Sequence, residues 1–154
     1  MTQFEPFDAV VECAVRLLGL SMARLRLFDS RQRLRVMAYA GRVVKAEDWR
    51  IVPIGEGFAG KVAAGSEPVW VPNVRADKHV RDIPWVREEE IASLAGLPLF
   101  AAGRRLGMMA VGSREERAFA AEERELIQSY AAMAAWKVLP HQHVVEQGRF
   151  DAAK

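Results

Sequence analysis

The chain predicts an α+β fold. Apolar residues recur at helical spacing near both ends, and between these segments lie paired runs whose polarity alternates around turn residues. At 154 residues, half of them hydrophobic, the chain matches a single domain large enough to bury a core without disulfide staples.

Each element has its own signal. Phe4, Phe7, Val10, Val11, Ala14, Leu17 and Leu18 form a helical stripe that ends at Gly19. Strand-like runs at 22–28 and 34–40 flank Asp29, Ser30, Arg31 and Gln32, which read as a hairpin turn. In the first run Ala23, Leu25 and Leu27 share the face that a helix would cover, and Met22, Arg24, Arg26 and Phe28 take the other. A short apolar run then ends at Gly55, a glycine pair permits a tight turn, and residues 58–64 make two helical turns that Gly65 stops. Pro68, Val69, Trp70 and Val71 open a short strand.

Residues 73–90 carry both charges, His79 and Trp85 without a clear period, so they read as a long loop with one helical turn. Loops of that length in a compact domain are usually functional or mobile. The runs 91–101 and 106–111 form a second hairpin around Gly103 and Arg104. Residues 119–139 give the longest helical signal, with Leu126, Ile127, Tyr130, Met133, Ala134 and Val138 along one face and Pro140 as the stop. Residues 141–154 have little apolar content and read as a tail or linker.

Composition narrows the function. With 22 basic and 20 acidic residues the formal net charge is +2, which gives no reason to expect nucleic acid or an acidic membrane surface as partner. The single cysteine, Cys13, excludes an internal disulfide and suits a reducing cytoplasm. The opening residues show neither a basic segment nor a long apolar core, and no run approaches the length of a membrane span.

Three blocks in order, residues 52–77, 91–112 and the helix opener 118–126, resemble the GAF family of small-molecule-binding regulatory domains, and the resemblance covers roughly residues 4–139. It implies a GAF-like, profilin-like arrangement: a central antiparallel sheet, two long terminal helices on one face and a loop-covered pocket on the other, with residues 1–140 as one domain. Ala120 stands where the family often has a capping Ser or Thr, which weakens that helix start by about 1 kcal/mol. The function implied is a cytoplasmic sensory domain that binds a small molecule and transmits the signal through its terminal helices in a homodimer. Its output would be a kinase, a cyclase or a transcription regulator, none of which this chain contains, so it would act in trans or as part of a larger protein. By the same resemblance Phe58, Val62, Trp70, Asn73, His79, Arg81 and Trp85 surround the ligand. The aromatic rings would supply apolar area, and Asn73 and Arg81 would orient polar groups.

Other chemistries find less support. Gly55, Gly57 and Gly60 satisfy G-x-G-x-x-G, but Gly65 and Pro68 cut the following helix too short for a dinucleotide-binding crossover, so the glycines read as a tight turn. Free methionine-R-sulfoxide reductases of the GAF family need several cysteines, and this chain has Cys13 alone, on the first helix. Covalent bilin attachment needs a pocket-side cysteine, which is missing. A haem would need His79 as axial ligand, and a solvated loop histidine is the simpler reading. His141 and His143 lack companion metal ligands, and Glu88, Glu89 and Glu90 read as a solvated helical turn. For Arg24, Arg26 and Arg35 two readings stand, a basic pocket floor or a solvated outer sheet face, and the second is simpler. Besides a ligand-binding sensor, the sequence leaves open a dimerisation module with a vestigial pocket and an enzyme whose catalytic cluster is not apparent.

Overall fold

The computed structural model describes residues 5–42 and 51–146. Phe4 therefore lies outside the described residues, as do positions 147–154 of the expected tail. Within them, six strands form one antiparallel sheet in the order β3-β2-β1-β6-β5-β4. Helix α1 (Glu5–Leu18) leads into β1 (Met22–Phe28) and β2 (Arg33–Ala40), followed by β3 (Val52–Pro53), α2 (Gly57–Ala64) and β4 (Val69–Val71). A short 3-10 turn (Val74–Ala76) and the one-turn helix α3 (Pro84–Glu88) precede the long hairpin β5 (Ser93–Ala101) and β6 (Arg104–Ser113). Helix α4 (Ala121–Val138), a 3-10 turn (Leu139–His141) and α5 (His143–Glu146) complete the order.

The central strands are buried on both faces, and two apolar layers cover them. Phe7, Val10, Val11 and Ala14 of α1 and Ile127, Ala134 and Val138 of α4 pack with Ala23, Leu25 and Leu27 on one side. Met22 and Phe28 point to the other side, where they meet Val62 and Ala63 of α2 and the valines Val74, Val80 and Val86. The two terminal helices thus share one face, as the resemblance implies, and the period-two pattern of β1 sets which side chains meet them.

Local chemistry explains the turns. In the first hairpin Asp29 accepts from the backbone N–H groups of Arg31 (2.8 Å) and Arg33 (3.0 Å), and Gln32 adopts a positive φ of 61°. Ala102 and Gly103, both at positive φ, turn the second hairpin in the manner of a two-residue type I′ loop, so Arg104 already belongs to β6. The glycines of the 55–60 segment make a tight turn, as expected. Gly55 and Gly57 have positive φ, and a Cβ on Gly60 would come within 2.6 Å of the Pro53 carbonyl oxygen. Helix α4 starts at Ala120 without a side-chain cap.

Three expectations change. The segment 73–90 is more structured than a long loop with one turn, because buried Val74, Val80 and Val86 pin it to the sheet. Residues 141–146 are not a tail. Val144 and Val145 are buried in the helix-side core, and the ring of His141 meets Phe7 edge-on at 6.3 Å, so the packed region runs past position 140. Leu126 and Met133 fall outside the buried stripe of α4, being 55% and 45% exposed.

Candidate functional site

A cavity of about 500 Å³ opens on the sheet face opposite α1 and α4. Strands β1 and β6 supply its floor. Arg24 pairs with Ala110 and Arg26 with Met108 in the antiparallel register, so all four side chains project to the same side, and all four line the cavity. Glu56, Gly57, Phe58 and Ala59, at the start of α2, make one wall, and His79, Ile83 and Trp85 make another. Pro84 at the first position of α3 fixes the turn that presents Trp85.

The guanidinium of Arg24 is the centre of the floor. It is fully buried and lies between two aromatic rings, 4.7 Å from the Tyr39 centroid and 4.2 Å from that of Trp85. Such a sandwich holds a cation by the negative faces of both rings while keeping it desolvated. Tyr39 reaches this position through a bulge. Leu25 pairs with Ala38 but Arg26 pairs with Val36, so Met37 is the extra residue. The bulge shifts the alternation of β2 and turns Tyr39 to the cavity side, facing its cross-strand partner Arg24.

The hydroxyl of Tyr39 donates to Glu89, which is fully buried. Glu89 also accepts from the backbone N–H of Arg42, at 3.1 and 3.0 Å to its two oxygens, and from the guanidinium of Arg114. Arg114 Nε donates in turn to the Glu89 carbonyl at 2.9 Å. This corrects the solvated reading of the 88–90 acidic run for Glu89, whereas Glu88 and Glu90 are exposed as expected. A carboxylate is retained inside because every donor around it is matched to it, and no sequence pattern marks Glu89 apart from its neighbours.

The seven residues named by resemblance divide between several places. Phe58, His79 and Trp85 come together in the cavity wall. Val62 is buried beneath α2 and fills space against Gly96, where a Cβ would come within 2.7 Å of Val62 Cγ2 and 2.8 Å of Phe58 Cζ. Asn73 is an exposed cap, accepting from the Arg75 N–H at 3.1 Å. Arg81 is half exposed, 3.8 Å from Asp82, and faces a different depression. Trp70 lies on the helix side: its ring packs 5.2 Å from Phe119 and beneath Arg124 at 5.1 Å. In a strand of three residues, Val71 enters the cavity-side cluster and Trp70 necessarily faces away.

For the arginines of the first hairpin the structure decides between the two readings. Arg24 and Arg26 are buried and line the cavity, so the solvated outer face does not apply to them. Arg35 instead binds Asp29 at 2.9 Å. Burial raises the Asp29 carboxyl, but the backbone bond from Arg33, the side-chain bond from Arg35 and the further bonds from Arg31 and Arg33 outweigh it and hold the group below its usual range. Met108 and Ala110 were legible in principle, since they share one face of β6 by period-two alternation. Among the described residues no group of three or more His, Cys, Asp or Glu side chains is placed to hold a metal ion, and no helix is long and apolar enough to cross a membrane.

An antiparallel sheet with its terminal helices on one face and a cavity walled by a short helix and a pinned loop on the other defines a recognisable class of α+β domain. The family model described as "GAF domain" matches residues 5–135, and the chain belongs to that family, whose members are typically sensory or regulatory. Among solved structures it is similar to the GAF domain of an Acinetobacter phosphoenolpyruvate-protein phosphotransferase, with 19% identity over 94% of this chain and 86% of that one and a TM-score of 0.73. It is similar to the GAF domain region of a protein from Geobacter sulfurreducens, with 22% identity over 88% and 92% of the two chains and a TM-score of 0.75. It also resembles free methionine-R-sulfoxide reductase from Neisseria meningitidis, with 20% identity over 96% and 81% and a TM-score of 0.68. At these identities the likeness is one of fold. Among curated proteins, none matches the chain.

Proposed function

We propose that this chain is a cytoplasmic regulatory domain that binds a small anionic molecule in the cavity over β1 and β6 and relays occupancy through α1 and α4 in a homodimer. The observation that carries this reading is the cavity itself. Its volume of about 500 Å³ lies in the range of small-molecule sites, and buried Arg24 and Arg26 line its floor. Aromatic and apolar walls would supply contact area, and the guanidinium groups would orient an anionic group of the ligand. Of the seven residues named by resemblance, Phe58, His79 and Trp85 are the proposed contacts. Binding that differs between two arrangements of the sheet and helices would shift their populations without any catalytic group. A kinase, cyclase or transcription regulator joined to the domain, or acting with it in trans, would read that shift.

An enzymatic role like that of the reductase has weaker support. Cys13 packs against the helix-side core, with the sheet between it and the cavity. Sulfoxide reduction through a sulfenic acid and a disulfide would need thiols beside the substrate.

The reading is tested by native mass spectrometry of protein purified from its source, followed by titration of any retained compound. Trp85 emission should shift on binding in the Trp70→Phe protein, where Trp85 is kept, and the shift should vanish in Trp85→Phe. Purified protein that carries nothing, with Trp85 emission indifferent to a panel of anionic metabolites, would instead support the dimerisation module with a vestigial pocket.

A further inference from the structure

A second concavity, of about 570 Å³, is lined by Arg42, Arg75, Arg81, Arg87 and Arg114, and among the described residues Glu90 is the carboxylate in its wall. Helix α3 separates it from the cavity: Trp85 faces the cavity and Arg87 faces this depression. Buried Val74, Val86 and Ile91 lie beneath it, so the arginines stand on a packed base and not on a loose loop.

Among the described residues the charges do not cancel. Arg114 is committed to buried Glu89, and this pair neutralises itself. Arg42 meets Glu90 at 3.4 Å and Arg81 meets Asp82 at 3.8 Å, but all four side chains are more than half exposed, where an ion pair is weak and screened. Arg75 and Arg87 have no carboxylate partner among the described residues. A concave surface with excess positive charge concentrates its field and draws counter-ions. Guanidinium groups present paired N–H donors whose geometry fits the oxygens of phosphate, and several converging on one depression fit an anion with more than one phosphate oxygen face.

We propose that this depression is a binding site for a small phosphate-bearing anion, with Arg75 and Arg87 as its main contacts and Arg81 and Arg42 at the rim. The volume matches a metabolite-sized ligand. The site is separate from the cavity and does not rest on the function proposed for it.

The test is a calorimetric titration of inorganic pyrophosphate into the full chain at low ionic strength. It compares the unaltered protein with R75E/R87E and with R31E/K61E, whose exposed substitutions lie elsewhere and change net charge equally. Saturable binding to the unaltered protein, weakened about tenfold or more in R75E/R87E and little changed in R31E/K61E, is the expected result. Absence of saturable binding would overturn the proposal, and so would equal weakening in both variants, which would mark a net-charge effect. Full retention of binding in R75E/R87E would place the anion elsewhere, the cavity included, and also overturn it. A short single-stranded oligonucleotide that bound more tightly than pyrophosphate through the same arginines would replace the proposal with a nucleic-acid surface.

Discussion

The hydroxyl of Tyr39 donates a hydrogen bond to Glu89 across 50 positions of sequence, tying the end of β2 to the segment that follows α3. Because the Tyr39 ring also lies over Arg24, one chain of contacts runs from Trp85 through Arg24, Tyr39 and Glu89 to Arg114. Its first members line the cavity and its last lines the arginine-rich depression. The two concavities are therefore built on a common set of buried polar groups.

Glu89→Ala should be among the most damaging single substitutions in the protein. It leaves the Arg114 guanidinium, the Tyr39 hydroxyl and the Arg42 N–H without their acceptor at a fully buried site. Removing one partner of a buried pair costs about 3–5 kcal/mol. Glu89→Gln retains an acceptor oxygen and should cost less. Urea denaturation of both variants measures the difference, and a loss below about 1 kcal/mol for Glu89→Ala would show that water replaces the carboxylate.

Gly96→Ala tests the contact between α2 and β5. The added methyl would collide with the side chains of Val62 and Phe58, not with backbone, so the site should yield by moving Phe58 at a cost of about 1–3 kcal/mol. Since Phe58 lines the cavity, affinity for a cavity ligand should change as well. Phe58→Leu in the Gly96→Ala background should recover part of the stability, as read from denaturation midpoints.

Stability above pH 10 should report Tyr130. Its hydroxyl donates to the Val10 carbonyl at 2.5 Å and holds α4 to α1. Burial, and secondarily the neighbouring Cys13, push its pKa up to about 12 from the ordinary 10.0. In the unfolded chain the phenol loses its proton first, so this contribution is complete below pH 10 and is lost as pH rises from there to about 12. Tyr130→Phe should flatten that part of the pH profile and lower neutral-pH stability by about 1 kcal/mol. Urea midpoints collected from pH 8 to 12 for both proteins check the slope.

For the proposed homodimer the informative position is Trp136, 58% exposed on α4 beside Met133, with Leu17 on α1 69% exposed. Trp136→Glu should convert a dimer to a folded monomer by light scattering. Ala134→Glu is a poor probe, because Ala134 is fully buried between α4 and the sheet and a charge there would unfold the domain. A dimer whose mass is indifferent to Trp136→Glu and Met133→Glu would place the interface elsewhere.

Period and punctuation alone determined the α+β class, the two hairpins, the α2 helix ended by Gly65, and the face of β1 that meets α1. These follow from local geometry, since a strand alternates by two and a helix by 3.6 whatever surrounds them. Position across the sheet was decided only by the tertiary structure. The bulge at Met37 turns Tyr39 to the cavity, the packing of Val71 into the cavity-side cluster puts Trp70 on the opposite, helix-side face, and Arg81 comes to the second depression because α3 stands between it and the cavity. Glu89 differs from Glu88 and Glu90 in no property that a sequence carries. Its burial depends on donors from Tyr39, Arg42 and Arg114, which are distant in the chain and converge on one carboxylate only when β2, β6 and the α3 segment are assembled.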